Sequence, residues 1–150
     1  MKRLPIVLLL SLIGFGGIAT GQVRSAEVET SSFEPVTWER LVNAEEEPQN
    51  WLMYSGTFDS KRYSRLDQVH NRNVNRLELK WTYQLSALDR AETTPLVVDG
   101  VMFITEAPSN VLAVDAATGR PYWRYEHELP EDLRICCGRN NRGVAILGDT

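Results

Sequence analysis

Between residues 77 and 84 apolar and polar side chains alternate strictly, with Leu77, Leu79, Trp81 and Tyr83 separated by Glu78, Lys80, Thr82 and Gln84. A period of two puts one set on each face of an extended chain, so a half-buried strand is expected here. Farther on, Pro95-Leu-Val-Val98 and Val101-Met-Phe-Ile104 flank Asp99-Gly100, a dipeptide suited to the positive φ angles of a tight hairpin turn. A third strand is expected over 110–114, a turn over 115–119 and a fourth strand over 122–125. Short strands in this succession predict an antiparallel β-meander. Helical spacing is found at Trp38, Leu41 and Val42, with Thr37 as N-cap, and Glu45-Glu46-Glu47 followed by Pro48 ends it. We read that acidic run as a solvated helix end. Residues 50–64, with Trp51, Tyr54, Phe58 and Tyr63 among turn formers, are expected to be ordered and packed on a larger body.

The strand pattern repeats. Trp81 and Trp123 lie 42 residues apart, each with a tyrosine two positions later, Tyr83 and Tyr125. Propeller blades recur at about 40–45 residues with a Trp in each. Gly143-Val-Ala-Ile-Leu147 before Gly148-Asp149 echoes Leu96-Val-Val98 before Asp99-Gly100, as though a second hairpin begins. The expected fold class is therefore all-β: the first blade and the start of the second of a β-propeller that is incomplete in these 150 residues. A lone blade leaves broad apolar faces uncovered. The alternative is a small independent β-domain.

The beginning of the chain has a different composition. Lys2 and Arg3 precede an apolar run over 6–13, then small residues, with Ala19 and Gly21 suited to a cleavage after Gly21. This is the shape of a signal peptide over 1–21, and the run is short for a membrane anchor. Residues 22–36 are polar and mixed and read as a linker or extended arm. The domain proper is expected over 37–150. With 16 basic and 20 acidic residues the net charge is −4, and removing the leader makes it −6. Charged residues at 24% and hydrophobic residues at 43% fit neither a disordered chain nor a multispan membrane protein, and no basic footprint for nucleic acid is present.

Export bears on the two cysteines, the neighbours Cys136 and Cys137. An oxidising compartment favours pairing them with each other or with another chain, and burial as two small thiols is the third possibility. A ring closed between adjacent cysteines is strained, since adjacent Cα atoms lie about 3.8 Å apart. Zinc is disfavoured because only His127 and His70 stand as further ligands, neither suitably spaced.

Ala113-Val-Asp115-Ala-Ala-Thr118-Gly119-Arg-Pro-Tyr-Trp123 resembles the tryptophan-docking repeat of the pyrroloquinoline quinone (PQQ) dependent dehydrogenases. Its aspartate and threonine suit turn amides, its glycine a left-handed position, and its tryptophan a neighbouring blade. Three further segments are similar to the quinoprotein alcohol dehydrogenases in the same order: residues 50–81, Glu92-Thr-Thr-Pro95 with the hairpin after it, and Cys136-Cys137-Gly-Arg-Asn-Asn141-Arg142-Gly143. The resemblance runs from about Trp38 to the end and implies an eight-bladed propeller. It implies that Cys136 and Cys137 form a vicinal disulfide against one face of the quinone, that Arg142 holds a quinone carboxylate, and that Glu92 bonds the cofactor's polar edge. Arg139 and Asn141 have no expected role beyond shaping the loop. Gly138 departs from the acidic residue common in relatives.

By the same resemblance the whole enzyme is periplasmic and oxidises an alcohol to an aldehyde with hydride transfer to PQQ. A calcium or lanthanide ion and the catalytic base would be held by residues outside this chain. Electrons would pass to a cytochrome c or a membrane quinone; a homo-oligomer is possible, and no Cys-x-x-Cys-His haem motif is present. The chain is expected to be an N-terminal part, inactive alone. A cofactor-free propeller scaffold of the cell envelope is the alternative, which leaves the spacing of the cysteine pair and Arg142 unexplained.

Overall fold

A computed structural model describes residues 33–86, 90–130, 132–134, 136 and 138–149. The expected leader, most of the expected linker and Cys137 lie outside the described residues.

Four strands form one antiparallel sheet in chain order: β1 Leu96–Val98, β2 Val101–Glu106, β3 Asn110–Asp115 and β4 Pro121–Tyr125. The expected meander is formed, with ends displaced by a residue or two. Leu96 faces Phe103 across the hairpin, and Val101 faces Asp115. The Asp-Gly turn works as its composition requires, with φ of 48° at Asp99 and 85° at Gly100. Between β3 and β4 the Asp115 carboxylate accepts the amides of Ala117 and Thr118, each at 2.9 Å. Gly119 then takes φ of 72° and donates its amide to the Asp115 carbonyl at 2.8 Å. The β3–β4 register slips at Ala113/Val114, opposite Pro121, which has no amide hydrogen to give a ladder.

One sheet face buries Leu96, Val98, Val101, Phe103 and Ala113 with Val36, Leu52 and Ile146 from outside the sheet. Trp51 exchanges two backbone hydrogen bonds with Val97, at 2.8 and 3.1 Å, which fastens the aromatic segment to β1. Leu52 is buried as expected of that segment, whereas Tyr54, Phe58 and Tyr63 are exposed. The arm ends inside the core: Val36 is fully buried and forms an isolated bridge with Gly148. The helix α1, Trp38–Val42, starts where expected, the Thr37 hydroxyl accepting the Arg40 amide at 3.3 Å. No helix among the described residues is long and apolar enough to cross a membrane.

Two expectations are corrected. Residues 77–84 join no ladder, and Leu77 and Leu79 are exposed. Alternation assigns side chains to faces, but a strand also needs a partner edge, and none of β1–β4 supplies one. Half-burial does alternate from Trp81 to Leu85, because the Trp81 ring lies over Gly119 and its indole N–H donates to the Ala116 carbonyl at 3.1 Å. Residues 143–147, where a second hairpin is expected to begin, turn Val144 and Ile146 inward, and Gly148 just after them bridges Val36 of the arm. The acidic run is not simply solvated, since Glu47 pairs with Arg40 at 2.6 Å.

Candidate functional site

The antiparallel order brings the entry to β1, the exit of β2 and the entry to β3 to one end of the sheet, and Glu92 and Arg142 of the predicted site residues meet there. Glu92 lies just before β1, and Arg142 lies far along the chain, beyond β4. The Thr94 amide donates to the Arg142 carbonyl at 2.9 Å, so the two segments run side by side. A hydroxyl pair, Thr105 buried and Thr93 half-buried, reinforces this joint. Thr105, 1% exposed, donates its amide to the Thr93 hydroxyl at 3.0 Å, and its own hydroxyl donates to the Asn141 carbonyl, also at 3.0 Å. Asn141 in turn accepts the Gly143 amide on its side-chain oxygen at 3.0 Å, which shapes the loop as expected.

Fastened in this way, Glu92 and Arg142 form an ion pair, Nη2 to Oε2 at 3.3 Å. The Arg142 side chain is 69% exposed and that of Glu92 33% exposed, so both charges remain open to a ligand. The Asn140 amide donates to the other Glu92 oxygen, Oε1, at 3.1 Å. Sequence reasoning missed Asn140, because an amide in a polar loop carries no signal until the fold places it beside a carboxylate. Cys136 is exposed in the same loop. Its expected disulfide with Cys137 lies outside the described residues.

A second carboxylate stands at this end of the sheet. Glu106, 1% exposed at the end of β2, accepts the Ser86 amide at 3.0 Å and the Ser86 hydroxyl at 2.9 Å, and pairs with Arg124 of β4. Burial works to raise its pKa, but the Ser86 hydrogen bonds and the Arg124 charge outweigh burial and hold it below the ordinary value. It anchors the chain six residues before Glu92 and is too enclosed to meet a ligand. Among the described residues no group of three or more His, Cys, Asp or Glu side chains is placed to hold a metal ion.

An antiparallel four-stranded unit, with the tryptophan of one repeat seated on the Asp-x-x-Thr-Gly turn of the next, is a blade of the β-propeller class. Residues 51–150 match the model of the PQQ family described as glucose/ethanol/alcohol dehydrogenase, β-propeller domain, and the chain belongs to that family. It is 39% identical over 97% of its length to the quinohemoprotein alcohol dehydrogenase ADH-IIG of Pseudomonas putida, covering 19% of that protein. It is 42% identical over 73% of its length to the dehydrogenase subunit of a quinone alcohol dehydrogenase from Gluconacetobacter polyoxogenes, covering 15% of it. Among solved structures, ADHIIG from Pseudomonas putida HK5 superposes with a TM-score of 0.70 at 41% identity, over 77% of this chain and 18% of that one. The quinohemoprotein alcohol dehydrogenase of Comamonas testosteroni superposes with a TM-score of 0.60 at 32% identity, over 73% of this chain and 18% of that one. The chain thus spans less than a fifth of the length of these relatives.

Proposed function

We propose that this chain is the part of a periplasmic PQQ-dependent alcohol dehydrogenase that supplies one wall of the quinone site. The observation that carries the reading is the joint at the end of the sheet, which brings Glu92 and Arg142 together with both charges open. The donor set fits the group. A planar guanidinium fork suits a carboxylate, and a neighbouring carboxylate and amide suit a polar ring edge, as in a tricyclic quinone bearing three carboxylates. When bound, PQQ accepts a hydride from the alcohol.

In this reading Arg142 binds a quinone carboxylate, Glu92 bonds the polar edge, and Cys136 and Cys137 pair in a disulfide against one ring face. The residues that remove the hydroxyl proton and hold a calcium or lanthanide ion belong to other parts of the protein, as does the route for electrons to a cytochrome c or a membrane quinone. The likeness to quinohemoprotein and quinone alcohol dehydrogenases supports the alcohol as substrate class.

The test is a titration, with PQQ, of the whole dehydrogenase that this reading makes the chain part of, followed by tryptophan quenching. Saturable quenching, weakened at least about tenfold by Arg142→Ala, is expected from loss of a charge-assisted contact. No quenching would overturn the reading in favour of a cofactor-free scaffold. Alcohol-dependent reduction of a dye by the chain alone would contradict the assignment of catalysis to other parts of the protein.

A further inference from the structure

We propose that Asn140 is a positioning residue of this site, holding the Glu92 carboxylate in place so that Arg142 can exchange Glu92 for an anionic ligand; the proposal rests on the reading of the site as a quinone wall. Glu92 divides its two oxygens between two partners, Oε2 facing Arg142 at 3.3 Å and Oε1 accepting from Asn140 at 3.1 Å. An incoming carboxylate competes with Glu92 for the same guanidinium. Were Arg142 the only tether, its capture by a ligand would leave a flexible carboxylate beside an added negative charge, at a cost in repulsion and side-chain order.

The Asn140 amide meets this difficulty because it is neutral. A ligand anion has little Coulombic pull on it, so its bond to Oε1 persists as the ion pair opens. Its base is also firm. The next residue, Asn141, is fixed on one side by the Thr105 hydroxyl and on the other by the Gly143 amide. The amide is thereby delivered to Glu92 from a loop fastened to the sheet, and the carboxylate keeps the orientation in which its edge meets the ligand.

The experiment uses the full chain labelled with 15N for the amide resonances and, for the titration, the whole dehydrogenase that the quinone reading makes it part of, with PQQ as the probe. Without PQQ, the side-chain amide resonances of Asn140 should move on Glu92→Ala; if they do not, the proposal is overturned whatever PQQ does. In the PQQ titration, Asn140→Leu and Asn140→Asp should weaken binding about tenfold, the order of one hydrogen bond to a charged group, while Asn140→Gln, which keeps an amide, should stay within about threefold of wild type. Rescue by glutamine separates positioning from mere loop stability. If Asn140→Leu fails to give a dispersed backbone spectrum, the aspartate and glutamine variants carry the comparison. Equal affinity in wild type, Asn140→Leu and Asn140→Asp would overturn the proposal and leave the quinone reading standing. No binding to the whole wild-type protein would overturn the quinone reading and, with it, the role of Asn140 toward that ligand.

Discussion

At Thr105 a single hydroxyl decides how well two segments distant in sequence hold together. The side chain is buried, and it links Thr93, next to Glu92, to the carbonyl of Asn141, next to Arg142. Thr105→Val keeps the shape and removes the donor, leaving a carbonyl short of a partner. The expected cost is about 1–3 kcal/mol in urea denaturation, with faster exchange of the Thr94 amide. Gly119 is a second such residue. Its φ of 72° disfavours any side chain, and a Cβ there would lie 2.5 Å from the Trp81 ring. Gly119→Ala is expected to cost at least about 1 kcal/mol from the left-handed conformation alone. It should also shift Trp81 emission to longer wavelength as the ring leaves its seat. An unchanged emission maximum would show that the ring does not rest on this turn.

At the scale of elements, the arm, α1 and the β1–β2 hairpin meet in one polar cluster that sequence patterning did not disclose. Arg40 of α1 binds Glu47 at 2.6 Å and the Asp99 carboxylate of the hairpin turn at 3.1 Å, and donates to the Glu34 carbonyl at 2.6 Å. Asn50 donates to Asp99 at 3.0 Å and accepts the Asp99 amide at 2.9 Å. The Arg40 hydrogen bond is the largest influence on Glu47 and holds its pKa below the ordinary value. For Asp99 burial pulls upward, but Asn50 and Arg40 outweigh it and the net direction is again down. Carboxyls with lowered native values stabilise the fold above their ordinary range, near 3.8 for Asp and 4.5 for Glu, and lose that contribution as pH falls through the native values. Arg40→Met should therefore cost about 1–2 kcal/mol at pH 7, after allowance for solvent screening. The gap between wild type and variant should close on acidification toward about pH 3. A gap independent of pH, read from denaturation midpoints, would show that packing rather than charge is lost.

For the whole molecule, the order of the parts was more legible than their pairing. The Asp-Gly and Asp-x-x-Thr-Gly turns dictate their own backbone, so the meander and its boundaries could be read from residues 95–125. Residues 77–84 carry an equally good strand pattern, yet a pattern fixes only which side faces in, and whether a ladder forms depends on an edge elsewhere. Glu92 and Arg142 were legible through motif resemblance, whereas Asn140, Thr105 and the Arg40 cluster depend on contacts between segments far apart in the chain. Native-state amide exchange should follow this division. Protection is expected to be greatest in β2 and β3, which have ladders on both sides, and lowest in 77–84, with 143–147 between them. Strong protection across 77–84 would place that segment in a ladder.

The bond from the Thr94 amide to the Arg142 carbonyl joins main-chain atoms. The spacing of the acidic and basic residues is therefore written into the path of the polypeptide and into the Thr93–Thr105 hydroxyls that brace it, and not into the charged side chains themselves. Residues 92, 140 and 142 can be exchanged to retune charge and ligand preference while the seam that aligns them stays as it is. Chemistry and alignment are carried here by different atoms, the charges by side chains and the alignment by the main chain.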